Sequence, residues 1–165
     1  MAAPQKILAI DIGGGTQDIL LYEEGKPMEN CVQMILPSPT RIVAQKILKA
    51  TAAGKNIFLA GNTMGGGSCS WAAEKHLQAG LKVYATELAA LTLHDNLNEV
   101  QRRGVRITTR PPRDVQTIYL RDVDLPSLKK TLKPFQVSLP QTCAIAVQDQ
   151  GGGPVALQEG SEVID

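Results

Sequence analysis

At 165 residues the chain is one ordinary domain or one and a fraction, long enough to bury a core. A content of 43% hydrophobic but only 4% aromatic residues implies an aliphatic interior, and a net charge of +1 gives no electrostatic reason to expect nucleic acid or a membrane as partner. No apolar run reaches the roughly 20 residues of a membrane span, no secretory leader precedes the first strand, and Cys31, Cys69 and Cys143 are too few and too scattered for a disulfide framework, so a reduced, cytoplasmic protein is expected.

Lys6 to Ile10 is an apolar run of strand length, and Ile19 to Tyr22 is another. Between them stand Asp11, Ile12, Gly13, Gly14, Gly15, Thr16, Gln17 and Asp18, which reads as strand, tight turn, strand. Glycine lets the backbone take positive φ and lets a ligand approach closely. Consecutive N–H groups in such a turn make a concave anion site, and Thr16 adds a hydroxyl donor. Asp11, closing the first strand, can hold Mg²⁺ through water beside phosphate oxygens. The plainer alternative is a glycine-rich hairpin with a capping aspartate; the acids on both sides and the threonine favour phosphate binding.

Glu23 to Pro27 is a turn, and Cys31 to Leu36 reads as a third strand. Ser38 can cap a helix with Pro39 at its first position; Ile42, Val43, Ile47, Leu48 and Ala52 recur at helical spacing, and Gly54 ends it. Asn56 to Ala60 is a fourth strand. A second glycine-rich turn, Gly61 to Gly67, then opens a helix from about Ser68 to Ala79. Ligands of open α/β sheets gather at such strand ends and helix N-termini, which makes Asn62, Thr63, Gly65, Gly66 and Gly67 candidates for substrate contact. The alternative is a turn whose glycines merely permit close helix–strand packing. Leu81 to Ala85 is a fifth strand, and a further helix runs from Thr86 or Glu87 towards Arg103.

Three strands in a meander, then two parallel strands through right-handed crossover helices, predict an α/β fold with a ribonuclease H-like mixed sheet over residues 1–107. The prolines at 111 and 112 mark a linker over 108–115. Residues 116–165 read as a small C-terminal α/β extension, the start of a second half ending in a flexible tail. The local arginines Arg102, Arg103, Arg106, Arg110 and Arg113 read as a solvated loop, and His76 and His94 as surface or capping residues.

The stretch Asp11 to Asp18 resembles the first phosphate motif, Asp-x-Gly-x-Gly-Thr-x-Asp, of the actin, sugar-kinase and heat-shock-chaperone ATPase superfamily. The resemblance implies that Asp11 helps place Mg²⁺ and that Gly13, Gly14, Gly15 and Thr16 hold the β- and γ-phosphates of ATP; Asp18 matches a further motif position. The element order is the one this superfamily uses for each half of its body. Gly61 to Gly65 resembles in placement the substrate loop of its sugar kinases. Val83 to Leu91 resembles the segment joining the two halves, where Glu87 would bind the metal's water shell, although Leu88 stands where that family has proline. Asp149, Gly151, Gly152 and Gly153 are similar to the second phosphate motif, with Pro154 replacing its threonine and removing both an N–H and a hydroxyl; a glycine-rich tail is the alternative there.

The chain as a whole resembles the front portion of a prokaryotic family within that superfamily, on Asp11 to Thr16, Thr63 to Gly67, His94-Asp95-Asn96 and Val147-Gln148-Asp149. Members carry the label of pyruvate formate-lyase activating enzymes. Such activators hold an iron–sulfur cluster on a Cys-x-x-x-Cys-x-x-Cys run, whereas the nearest cysteines here, Cys31 and Cys69, are 38 positions apart. The resemblance thus implies the phosphate-binding half of a MgATP-dependent ATPase or small-molecule kinase, inactive alone and lacking an assignable general base. Its expected partners are a nucleotide, a small-molecule substrate of unknown identity, and a C-terminal half or a second copy. The alternative is a non-catalytic binding or assembly module that keeps the fold and pairs with itself.

Overall fold

The computed structural model describes residues 4–147. Alternation of apolar and polar residues builds a first hairpin from β1 (Lys6–Ile12) and β2 (Thr16–Glu23), in which Ile10 faces Ile19 and Asp11 faces Asp18. β3 (Val32–Pro37) adds antiparallel to β2. The inward residues Leu8, Ile10, Ile12, Ile19 and Leu21 are buried against Leu128 and Leu132 of a C-terminal helix (Leu125–Leu132).

The α/β class holds, and so do the three antiparallel strands followed by two parallel ones. The arrangement differs from one mixed sheet. β4 (Ile57–Gly61) does not join β1; it forms a separate, all-parallel sheet with β5 (Val83–Ala85), β6 (Arg106–Ile107) and β7 (Gln116–Leu120), in the order β6-β5-β4-β7. The place beside β1 is taken by β8 (Thr142–Val147), running parallel to it with Ile12 level with Val147. Ile57, Phe58 and Leu59 are all buried, so β4 needs cover on both faces, which a central position in a parallel sheet supplies. Residues 116–147 thus contribute one strand to each sheet.

Helices α1 (Pro39–Ala52), α2 (Gly67–Gln78), α3 (Glu87–Leu93) and α4 (Leu97–Arg102) pack around the parallel sheet, followed by α5, the Leu125–Leu132 helix. Small residues (Ala44, Ala72, Ala89, Ala90) line the shared core with Val43, Ile47, Leu59 and Val83. The helix expected to run through to Arg103 is split at His94–Asn96. Asn96 accepts hydrogen bonds from the N–H groups of Asn98 and Glu99, so its side chain caps a new helix instead of continuing the old one. Arg102 and Arg103 lie on or beside α4 and pair with Glu99 and Glu74.

His94 does serve at a helix end, its Nδ1 accepting from the N–H of Asn96 at 3.0 Å. His76 does not lie on the surface: it is fully buried on α2, 2.8 Å from Thr51 Oγ1 on α1. Burial pushes its pKa below the ordinary histidine value of 6.5, because the charged ring would have to give up its water. Above that pH both folded and unfolded chains hold the ring neutral, and the contribution to stability is complete. As pH falls below about 6.5 the unfolded chain takes up a proton that the fold refuses, so stability is lost down to the folded-state pKa. Melting temperature is expected to fall between about pH 7 and 5.5, and His76→Leu to flatten that part of the profile. An identical slope in the variant would contradict this account.

Candidate functional site

The turn between β1 and β2 is held from behind. Gly13 N–H donates to the Thr16 carbonyl at 2.9 Å, Ser38 Oγ donates to the Gly14 carbonyl at 2.9 Å, and Ser38 N–H donates to the Gly15 carbonyl at 3.1 Å. Ser38 occupies the N-cap position of α1, but its hydroxyl is spent on the turn and not on the helix. With both carbonyls tied, the N–H groups of Gly14 and Gly15 have no acceptor among the described residues. None of the three glycines takes positive φ, contrary to the sequence expectation. A Cβ built on Gly14 or Gly15 would meet nothing within 4 Å. Neither backbone conformation nor packing therefore asks for glycine at these two positions; what its absence of a side chain preserves is open space before the turn.

The second glycine turn follows β4. Here Gly61 and Gly65 do take positive φ, and a Cβ on Gly61 would strike the Leu120 carbonyl of β7. Gly66, the N-cap of α2, lies against the Thr92 carbonyl, again with no room for a Cβ. Gly67 has nothing within 4 Å. Thr40, in the first turn of α1, ties the two regions together: its hydroxyl donates to the Gly66 carbonyl and accepts from Cys69 N–H, each at 3.2 Å. Met64 N–H donates to the Asp122 carboxylate, at 3.0 Å from both oxygens. Burial raises the pKa of Asp122 above the usual carboxylate value, and the Met64 bond offsets this only in part.

The two turns meet. A cavity of about 120 Å³ is lined by Ile12, Gly13, Gly14, Thr40, Met64, Gly65, Gly67 and Ser68. This is room for several waters or for a small anion such as a phosphoryl group. Gly67 and Ser68 open α2, whose first-turn N–H groups lack intrahelical partners, so the wall combines turn amides with a helix N-terminus. The lining holds no titratable side chain, so the cavity can stabilise charge but cannot move a proton.

Not every candidate residue lies there. Asp11 and Asp18 stand opposite each other on the outward face of the first sheet and border a broad groove of about 670 Å³ with Leu20, Ile35 and Ala144. Thr16 is exposed and its hydroxyl donates to Asp18 at 3.3 Å. Asn62 is exposed and Thr63 is buried, both outside the cavity lining. Glu87 is exposed in the first turn of α3, just past the carboxyl end of β5, where Thr86 caps the helix. Asp149, Gly151, Gly152 and Gly153 lie outside the described residues. Sequence reasoning missed Thr40 and Asp122; it placed Ser38 correctly at the N-cap position but expected its hydroxyl to accept from the helix, where it donates to the Gly14 carbonyl. The only signal for Thr40 was a hydroxyl residue in the opening turn of a helix that follows the glycine hairpin.

The cysteines do not gather. Cys31 is buried with its thiol near the Pro27 carbonyl, Cys69 is buried in the core with its pKa pushed up to about 12, and Cys143 is exposed on β8. Three thiolates for an iron–sulfur cluster are not brought together.

No curated protein and no solved structure matches the chain. A family described as "Putative pyruvate format-lyase activating enzyme (DUF1786)" matches residues 64–156, from the second glycine turn through β8. That span is more than half of the 165 residues, and the chain belongs to this family.

Proposed function

We propose that this chain holds the terminal phosphates of MgATP in the cavity between its two glycine turns, as one half of an actin-like ATPase or small-molecule kinase. The observation that carries the reading is the convergence of Gly14 and Gly67 on one cavity, neither being required as glycine by the fold. Backbone N–H groups at a turn and at a helix N-terminus favour an anion in the way known phosphate loops do. Asp11 and Asp18 suit a divalent cation: like charges directly opposite across a strand pair repel, and a bound Mg²⁺ would relieve that. A metal held through water by Asp11 and Asp18 would supply neutralisation of charge from the groove side of the turn, beside the cavity; Glu87, at the end of β5 in the other sheet, lines neither space. Since the cavity lining carries no proton acceptor, turnover requires a base from another half, and the piece alone binds weakly and hydrolyses poorly.

The chemistry in the family's descriptive name is not part of this reading, because the cysteines do not supply cluster ligands. A binding or assembly module is a second reading. It is supported by β8, which is the edge strand among the described residues and whose six residues are all exposed, and by Ile35, 73% exposed on the same sheet's other edge. Isothermal titration tests the first reading with MgATP and with magnesium tripolyphosphate. Heat corresponding to a Kd in the micromolar-to-millimolar range is expected for both, on the order of 4–8 kcal/mol of binding energy. Asp11→Ala should remove the Mg²⁺ dependence of that binding. Silence with both ligands, or a dimer in solution without either response, favours the assembly module.

A further inference from the structure

The glycine cavity does not end at α2. Gly67 and Ser68 also line a second, more open groove of about 390 Å³, whose other walls are Arg41, Gln45 and Leu48 of α1 and Trp71 of α2. The two spaces share these two wall residues and so lie side by side at the start of α2. Together they come to the size of a typical small-molecule site, which the phosphoryl-sized cavity alone does not reach.

The groove has a definite chemistry. Trp71 is 51% exposed, a large indole surface left uncovered at the mouth of the helix pair. Such a side chain in the wall of a concave site offers a flat, sequence-tolerant stacking platform. Arg41 reaches from the groove to the first glycine turn: it lines the groove, and its guanidinium lies 3.5 Å from the Gly15 carbonyl, next to the cavity-lining Gly14. Its charge has no carboxylate partner within ion-pair distance among the described residues, so the junction carries an uncompensated cation. Gln45 adds an amide with both a donor and an acceptor. A flat ring beyond a phosphate chain matches this order of groups: anion in the cavity, negative charge past Arg41, ring on Trp71.

We propose that the nucleobase of a nucleoside triphosphate stacks on Trp71 while Arg41 meets the phosphate chain between base and cavity. The proposal deepens the phosphate reading of the cavity and rests on it. It places the base on this chain's own α1–α2 face and not in a distant second half.

Trp71 is the chain's single tryptophan, so its fluorescence reports the groove without any label. MgATP and magnesium tripolyphosphate are compared by calorimetry and by tryptophan emission, on the wild-type chain and on Trp71→Ala. The expected result is that both ligands bind, that ATP quenches the emission and tripolyphosphate does not, and that the substitution weakens ATP about 5- to 100-fold while tripolyphosphate is unaffected. Binding of ATP without quenching, and with equal affinity in the variant, overturns the base site and leaves the phosphate cavity standing. Binding of neither ligand by the wild type overturns both. The wild-type emission reading does not depend on the variant folding.

Discussion

Gly14→Ala is expected to weaken tripolyphosphate binding about 10- to 100-fold while leaving the melting temperature unchanged or slightly higher. The binding loss follows from position. Gly14 lines the cavity, its carbonyl is fixed by Ser38, and a new methyl group would stand in open space at the cavity's edge, with no atom of the fold within 4 Å. An anion pushed out by that methyl loses charge-assisted hydrogen bonds worth about 1.5–3 kcal/mol each. The fold has no corresponding objection: φ is not positive and no atom lies within 4 Å of the added carbon. Replacing glycine by alanine where the backbone permits it stabilises by about 0.4–1 kcal/mol, because the unfolded chain has less freedom to lose. Calorimetric titration beside a thermal melt separates the two effects. Full affinity in a folded Gly14→Ala chain would remove the turn from any ligand site.

The same change at Gly61 is expected to do the reverse to stability. Gly61 sits at φ +79° and pairs in register with Leu120, whose carbonyl an added Cβ would strike. The left-handed conformation costs roughly 1–2 kcal/mol for a residue with a side chain, and crowding a packed position costs about 1–3 kcal/mol more. A total of about 3 kcal/mol in a chain of this size corresponds to a fall in melting temperature on the order of 6–12 °C. Separation of β7 from β4 would also move Asp122 away from Met64, so ligand affinity should fall with stability and not independently of it. A thermal melt of Gly61→Ala indistinguishable from wild type would mean that β4 and β7 are not held as closely as described. Two glycines in two similar turns thus serve opposite purposes, one for the chain and one for what the chain holds.

That difference was not readable from residue identity. Both turns announce themselves by composition, and both appeared in the sequence reading as glycine-rich. Whether a glycine is there for φ, for packing or for approach depends on atoms that are distant in the chain, such as the carbonyls of Leu120 and Thr92. Local features were legible for a local reason. The β1–β2 hairpin and α1 with Pro39 at its start follow from periodicity and turn chemistry alone. Strand partners were not, because β1 pairing with β8 and β4 with β7 joins segments that share no local signal. The burial of His76 was missed for the same reason: its partner Thr51 is on another helix. Of the residues named from the sequence, the glycines at 13, 14, 65 and 67 line one cavity, whereas Asp11 and Asp18 border a different groove.

Because Ile7 pairs with Thr142 and Ile57 with Gln116, the chain closes each of its sheets with a strand made long after the first. During synthesis β1 leaves the ribosome with one edge bare and must wait for nearly everything described here before β8 can occupy it. Contacts of such long span are slow to form, and the waiting edge is a natural docking place for a chaperone or for another nascent copy. Yield from a cell is therefore expected to respond more to growth temperature and expression rate than the finished protein's own stability would suggest.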